Sequence, residues 1–218
     1  MSQADDVIVI IDYGSGNLRS AEKAFARQAK GRPVVVSGAP DNLRRATHIV
    51  LPGVGAFGDC AQGLRAIDGM TKALHRAVIE DGKPFLGICV GMQLMCRFGL
   101  ERAAPESPHQ GLGWFDGTVG ALNVPQGLKV PHMGWNEITT HQDHPVIAPL
   151  QGEDVYFVHG YGAQMAAGAQ GDIAAITDYG GAVTAALARD NMIGVQFHPE
   201  KSQAAGLALI ERFLEWRP

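Results

Sequence analysis

The first segment that could carry chemistry places a cysteine between two glycines, Gly87-Ile88-Cys89-Val90-Gly91. An apolar run precedes it and a helical pattern follows, so Cys89 falls where a strand turns into a helix. This pattern is typical of a nucleophile elbow, because the glycines allow a close backbone approach and a helix N-terminus favours a thiolate. We predict that Cys89 is a catalytic nucleophile. The alternative is a small buried apolar residue, as most free cysteines are.

A candidate base and its orienting group lie near the end of the chain, in Phe197-His198-Pro199-Glu200. Residues two apart in an extended chain point to the same side, and Pro199 fixes φ between the two polar side chains. The carboxylate of Glu200 can therefore orient the imidazole of His198, which accepts the thiol proton of Cys89. The three residues together predict a Cys-His-Glu triad.

A glycine-rich loop follows the third apolar run and reads Pro52-Gly53-Val54-Gly55-Ala56-Phe57-Gly58. Such a loop can turn its N–H groups toward an oxygen and so stabilise a developing oxyanion. Glycine-rich loops after strands also bind phosphates. The loop has neither the G-x-G-x-x-G spacing nor the lysine of a P-loop, so a nucleotide site is the less favoured interpretation.

Alternating strands and helices must position these residues in the first half of the chain. Apolar runs predict strands at 7–11, 34–36, 48–51 and 84–88. Helical spacing predicts helices at 18–25, 41–46, 64–79 and around Met92, Leu94 and Met95. The alternation implies a mostly parallel sheet with helices on both faces.

Closely spaced strands dominate the second half. They are predicted at 113–122, 136–140, 154–159, 173–177, 182–189 and 192–197, before a closing helix at 207–216. Several of these strands should pair antiparallel, because short links cannot make parallel crossovers. We expect one α/β domain over residues 1–218.

Composition excludes several classes of protein. A formal net charge of −4 and the lack of a basic cluster with interleaved aromatic residues disfavour a nucleic-acid partner. No apolar run approaches the roughly 20 residues of a membrane span, and the acidic start does not resemble a secretory signal. Three cysteines favour free thiols over a disulfide framework. We therefore expect a cytoplasmic location, no membrane association, no metal and no cofactor.

These motifs resemble those of the class I (triad) glutamine amidotransferases, whose elbow reads Gly-x-Cys-x-Gly-x-Gln and whose distal pair reads His-Pro-Glu. Three longer segments are similar to the glutaminase subunits of imidazole glycerol phosphate synthase. They read IDYGSGNL at 11–18, PHMGWN at 131–136 and FHPEKS at 197–202. The middle segment discriminates best, because general amidotransferase domains lack it.

The resemblance implies a flavodoxin-like class I glutamine amidotransferase fold and a glutaminase activity. Ammonia would pass through a tunnel to a (βα)₈-barrel cyclase subunit, the heterodimer partner in histidine biosynthesis. There it would join phosphoribulosyl-formimino aminoimidazole carboxamide ribotide to give imidazole glycerol phosphate and aminoimidazole carboxamide ribotide.

The resemblance also assigns roles to further residues. The oxyanion-hole N–H groups would come from Val54 and Val90. Glutamine would be seated by Gly53, Gly55, Gln93, Glu101, Gly160 and Tyr161. The residues facing the cyclase would be Asn17, Trp135, Tyr156 and Lys201.

Other interpretations of these residues stay open. Glu101 fits a solvated charge at a helix end as well as a carboxylate that holds an ammonium. Trp135 and Tyr156 fit core or edge aromatics, and Lys201 fits a solvated charge. The family usually carries Ser or Thr where this chain has Gly160, so a hydroxyl is missing there.

Three rival functions remain: an amidotransferase subunit for another acceptor, a free-standing cysteine hydrolase of γ-glutamyl bonds, and a non-catalytic flavodoxin-like binding module. The PHMGWN segment disfavours the first, and the His198–Glu200 register disfavours the third. Activity of the isolated chain would distinguish the second.

Overall fold

A computed structural model describes residues 6–104 and 106–218, and its centre is an eight-stranded sheet in the order β2-β1-β3-β4-β14-β13-β12-β9. The strands of this sheet are β1 (Val7–Ile11), β2 (Val34–Ser37), β3 (Ala46–Gly53), β4 (Phe85–Cys89), β9 (Thr139–Thr140), β12 (Ile173–Asp178), β13 (Ala182–Arg189) and β14 (Met192–Val195). Neighbours from β2 to β14 pair parallel, and those from β14 to β9 pair antiparallel. The mixed sheet confirms the predicted architecture.

Two smaller sheets complete the strand structure. One joins β8 (His132–Glu137) to β10 (Asp154–His159). The other has the order β11-β7-β5-β6 and consists of β5 (Cys96–Ala104), β6 (Ser107–Gln110), β7 (Phe115–Ala121) and β11 (Tyr161–Met165).

The helices pack in groups against the central sheet. They are α1 (Leu18–Gln28), α2 (Asp41–Arg45), α3 (Phe57–Ala66), α4 (Met70–His75), α5 (Val90–Gln93) and α6 (Gln203–Glu215). α1 contacts α6, while α3 contacts α4 and α5. Residues of β1, β3 and β4 are almost all buried, as expected for parallel strands covered on both faces.

The topology brings the two chemical segments of the sequence together. β14 lies parallel to β4, with Val195 opposite Ile88, so both strands end at the same edge of the sheet. Cys89 ends β4, and His198 follows β14 by three residues. Ligand sites of open α/β sheets lie at the carboxyl ends of the strands, which is this edge.

Some predicted elements were wrong in their bounds. The helix predicted over 64–79 is broken after Ala66, because Gly69 adopts a left-handed φ of 75° at the start of α4. The helix predicted around Met92 to Met95 ends at Gln93, because the carbonyls of 94–96 accept hydrogen bonds from the N–H groups of 112–115. The strand predicted at 136–140 is split into β8 and β9, since Ile138 bonds instead to Glu153 and Gly152.

Three strands, β5, β6 and β11, were not predicted. No apolar alternation marks β6, which reads SPHQ, or β11, which reads YGAQM. β5 does alternate, with apolar Cys96, Phe98 and Leu100, but it directly follows the segment predicted as a helix. The expectation about the chain start concerns residues 1–5, which lie outside the described residues. Within the described part of the chain, no helix combines the length and apolar character needed to cross a membrane.

Candidate active site

Cys89 occupies a strained turn between β4 and α5, with φ of 54° and ψ of −112°. A Cβ on Gly91 would lie 1.7 Å from the carbonyl oxygen of Leu51, and one on Gly87 would lie 2.7 Å from the carbonyl oxygen of Gly91. Only glycine fits at either position, so the turn that presents Cys89 requires both. Strain of this kind is typical of functional turns.

His198 and Glu200 form a buried pair beside this turn. His198 Nδ1 lies 2.9 Å from Glu200 Oε1, and each side chain is 3% exposed. When Nδ1 keeps its hydrogen and donates it to the Glu200 carboxylate, Nε2 has no hydrogen-bond partner within the described chain and can exchange a proton. Burial lowers the pKa of His198, but interactions with Cys89 and Glu200 outweigh it and raise the pKa to about 9. The imidazole therefore favours its protonated form, which suits a thiolate-imidazolium pair.

Backbone contacts hold His198 in place. Its N–H donates to the carbonyl of Tyr156 at 3.0 Å, and the hydroxyl of Ser202 donates to its carbonyl at 2.7 Å. The same hydroxyl accepts from the N–H of Tyr156 at 3.0 Å. Ser202 thus joins the triad segment to β10.

A cavity of about 280 Å³ opens at Cys89 and His198. It brings together most of the residues assigned by resemblance: Val54, Gly55, Val90, Gln93, Glu101, Gly160, Tyr161 and Lys201. Gly53 lies behind the cavity, where a Cβ would come within 2.6 Å of the Tyr13 hydroxyl.

Ser15 contacts both backbone polar groups of Val54, which belong to two successive peptides. The N–H of Val54 lies 3.3 Å from Ser15 Oγ, and Ser15 Oγ also donates to the carbonyl of Val54. The thiol of Cys60 is 3.4 Å from the same carbonyl. In this arrangement the Val54 N–H is engaged by Ser15 and is not available to an oxyanion, whereas Val90 begins α5 at the cavity wall.

Glu101 lies in the middle of β5 and not at a helix end. Its Oε2 accepts a hydrogen bond from the N–H of Phe57, the first residue of α3, at 3.0 Å. The contact fixes a carboxylate at the cavity wall, where it could bind an ammonium group.

Gly160 has room for a side chain. A Cβ there would meet only Val130 Cγ1, at 3.5 Å, which is ordinary van der Waals contact. The absence of a hydroxyl at this position is therefore not imposed by the surrounding packing.

Gln196 was not predicted as a site residue. Its side chain is fully buried, and its Nε2 lies 3.7 Å from Cys89 Sγ. Gln93 donates at 3.0 Å to Gln196 Oε1 and at 3.0 Å to the carbonyl of Tyr161. The i+2 spacing from His198 was the only available signal, since it places Gln196 and His198 on one side of the chain.

Two buried histidines, His132 and His159, form a cross-strand pair of β8 and β10, and His159 lines the cavity. His132 Nδ1 is 3.1 Å from His159 Nε2, and His159 Nδ1 is 2.9 Å from the carbonyl of Tyr161. At the other end, His132 Nε2 is 3.2 Å from Asn136 Oδ1. Burial lowers the pKa of His132, and it lowers that of His159 to about 4, so both rings are neutral at pH 7.

Three of the four residues assigned to a partner interface are neighbours. Trp135 and Tyr156 are opposite each other in β8 and β10, with ring centroids 5.8 Å apart. Lys201 Nζ lies 5.7 Å from the Tyr156 ring centroid. Asn17 precedes α1 and follows Gly16, where an added Cβ would lie 3.3 Å from Pro52 Cγ.

Among the described residues, no cluster of three His, Cys, Asp or Glu side chains could hold a metal ion.

Comparison with known proteins identifies the family. The model for "Glutamine amidotransferase class-I" matches residues 9–216, and the chain belongs to that family. Its curated relatives include the imidazole glycerol phosphate synthase subunit HisH of Mesorhizobium japonicum, 50% identical over 97% of this chain and 99% of the relative. The HisH subunit of Rhodopseudomonas palustris is 49% identical over the same shares, and that of Zymomonas mobilis is 48% identical over 100% and 99%.

Solved structures support the fold. A glutamine amidotransferase crystal structure matches with a TM-score of 0.71 at 16% identity, covering 95% of this chain and 97% of that one. PurLQS from Thermotoga maritima matches with a TM-score of 0.72 at 19% identity, covering 96% and 98%. At these identities the likeness concerns the fold alone.

Proposed function

We propose that this chain is the glutaminase subunit of an imidazole glycerol phosphate synthase, with residues 1–218 as one amidotransferase domain. The observation that carries the proposal is the convergence of Cys89 and the His198–Glu200 pair on one cavity. Relatives of near-identical length at about 50% identity bear that subunit name.

The proposed reaction begins with attack of the Cys89 thiolate on the carboxamide carbon of glutamine. The tetrahedral intermediate collapses as His198 gives its proton to the leaving nitrogen, which departs as ammonia. The remaining γ-glutamyl thioester is attacked by water, from which His198 removes a proton. Glutamate then leaves, and Cys89 returns to the thiolate. Glu200 keeps the imidazole oriented and stabilises its positive charge throughout.

Substrate binding is assigned to groups that face the cavity. Glu101 would hold the ammonium of glutamine, and Gln93 would offer its carbonyl oxygen, because both of its N–H groups are already engaged. Gly55, Gly160 and Tyr161 would form the adjoining wall. Val90 and Val54 would supply the oxyanion-hole N–H groups, the latter after the Val54 peptide leaves Ser15.

The proposed partner is a (βα)₈-barrel cyclase that receives the ammonia. Exposed apolar side chains support a docking surface on β8, where Met133 is 61% exposed and Trp135 is 44% exposed. Lys201 belongs both to this neighbourhood and to the cavity wall, so a partner seated here would adjoin the glutaminase centre. Asn17, in the loop that follows β1 of the central sheet, would also face the partner.

A cytoplasmic location is part of the proposal. The three cysteines are free, and a reducing compartment would keep the thiol of Cys89 available.

The test measures glutamate release from glutamine by the isolated chain, by the chain with cyclase, and by the chain with cyclase and its nucleotide ligand. We expect a low rate from the isolated chain and strong stimulation by the liganded cyclase. Fast turnover that the cyclase leaves unchanged would favour a free-standing hydrolase instead. Trp135→Ala should weaken cyclase binding while leaving alkylation of Cys89 in the isolated chain unchanged.

A further inference from the structure

Gln196 places an amide against the candidate nucleophile. It follows β14 directly, and its side chain is fully buried. Its Nε2 is 3.7 Å from Cys89 Sγ, within reach of a hydrogen bond to sulfur. A buried amide without a partner would be costly, so this contact gives the side chain a reason to face the thiol.

Gln93 fixes which end of the Gln196 amide faces the sulfur. Gln93 Nε2 donates one hydrogen to the carbonyl of Tyr161 and the other to Gln196 Oε1, both at 3.0 Å. Turning the Gln196 amide over would set two NH₂ groups against each other and place a carbonyl oxygen against the sulfur. The hydrogen-bond pattern therefore permits only the orientation in which Gln196 donates to Cys89.

We propose that Gln196 is a positioning residue, whose amide donates a hydrogen bond to the Cys89 thiolate and holds the sulfur for attack. The inference rests on the proposed glutaminase function. A hydrogen bond to the charged form of a group favours that form, so the bond stabilises the thiolate over the thiol. Unlike His198, the amide does not titrate, and its contribution persists over the whole pH range.

The same bond acts differently at the two chemical steps. Sulfur in a thioester is a poorer acceptor than a thiolate, so acylation weakens the bond and deacylation restores it. Gln196 therefore stabilises the leaving sulfur when water displaces it from the γ-glutamyl group. Interactions that strengthen as charge develops are those that accelerate a step.

The test compares wild type with Gln196→Met, which has a similar volume and no donor, and with Gln196→Glu, which keeps the acceptor for Gln93 and loses the donor. The isolated chain is treated with iodoacetamide from pH 5 to 10, and labelling of Cys89 is followed by mass spectrometry. We expect the alkylation midpoint to rise by about one pH unit in Gln196→Met, equal to about tenfold slower labelling below the midpoint, and further in Gln196→Glu. Gln164→Met, a substitution away from this cavity, serves as the control.

A purely structural role would lower the thermal midpoint of unfolding in both Gln196 variants and leave the alkylation midpoint of Cys89 at its wild-type pH. That result would overturn the proposal. If the variants fail to fold, NMR of the wild-type chain tests the proposal instead. The side-chain ¹⁵N–¹H signals of Gln196 should shift as Cys89 ionises, and the same signals should stay constant in Cys89→Ala. Constant signals in wild type would also overturn it. Neither readout needs glutamine turnover, so failure of the proposed function would be seen separately.

Discussion

Removing the Ser15 hydroxyl should raise the basal glutaminase rate of the isolated chain. The N–H of Val54 belongs to the peptide between Gly53 and Val54, and its hydrogen bond to Ser15 Oγ holds it away from an oxyanion. The bond from Ser15 Oγ to the Val54 carbonyl involves the next peptide, so turning the Gly53–Val54 peptide breaks only the first bond. One hydrogen bond contributes about 0.5 to 1.5 kcal/mol net, so Ser15→Ala should shift the equilibrium roughly 2- to 13-fold toward the turned peptide.

The assay is steady-state glutamate release by the isolated Ser15→Ala chain, with and without cyclase and its ligand. The basal rate should rise within that range, while the stimulated rate should stay nearly constant if, as proposed, the liganded cyclase already turns the peptide. Ser15→Thr retains the hydroxyl and is the matched control. A basal rate equal to or below wild type in a folded Ser15→Ala chain would refute the assignment of Ser15 as the group that holds Val54.

Three further predictions concern the triad. A glutamine-analogue alkylating agent should label Cys89, and label found on buried Cys60 or Cys96 with Cys89 untouched would refute the nucleophile assignment. Glu200→Gln should retain partial glutaminase activity while His198→Ala loses far more, and equal residual rates would contradict the orienting role of Glu200. The folded chain raises the pKa of His198 from 6.5 to about 9, so it binds this proton more tightly than the unfolded chain. The stabilisation that protonated His198 gives to the folded chain is complete below pH 6.5 and is lost as the pH rises through 9. Urea unfolding across this range should show the decline, and Cys89→Ala should reduce it.

The fold and the proximity of Cys89, His198 and Glu200 could be predicted because their signals are local. Apolar runs mark the buried parallel strands, and glycines at 87 and 91 mark a turn with no space for other residues. The spacing of His198 and Glu200 predicted that the two side chains meet, and the structure joins them at 2.9 Å. The extended chain expected between them was wrong, because Pro199–Lys201 forms a 3-10 turn.

The remaining features depend on contacts between distant segments. The Ser15 contact with Val54 spans 39 residues, and the Gln93 contact with Gln196 spans 103. Glu101 could not be placed from the sequence because its carboxylate is fixed by the start of α3, 44 residues away along the chain. The bounds of α5 depend on bonds from residues 112–115.

The three contacts that run from Tyr161 through His159 and His132 to Asn136 form a row, and this row has one hydrogen fewer than it needs. The Tyr161 carbonyl needs a hydrogen on His159 Nδ1, the Asn136 carbonyl oxygen needs one on His132 Nε2, and the contact between the rings needs a third. Asn136 cannot turn over, because its amide donates to the carbonyl of Asp178 at 2.7 Å. Two neutral imidazoles carry only two hydrogens.

One contact of the row therefore always sets two lone pairs against each other. If both rings carry their hydrogens toward Tyr161, the Tyr161 carbonyl at the cavity accepts a hydrogen bond and Asn136 Oδ1 on β8 does not. If both carry them toward Asn136, the reverse holds. The ¹⁵N chemical shifts of the four ring nitrogens report which tautomers are present. The Tyr161 carbonyl at the cavity wall and Asn136 on the strand that bears Trp135 thus compete for the same hydrogen. A ligand or partner that donates a hydrogen bond to one of these two acceptors leaves the histidine hydrogens free to point to the other.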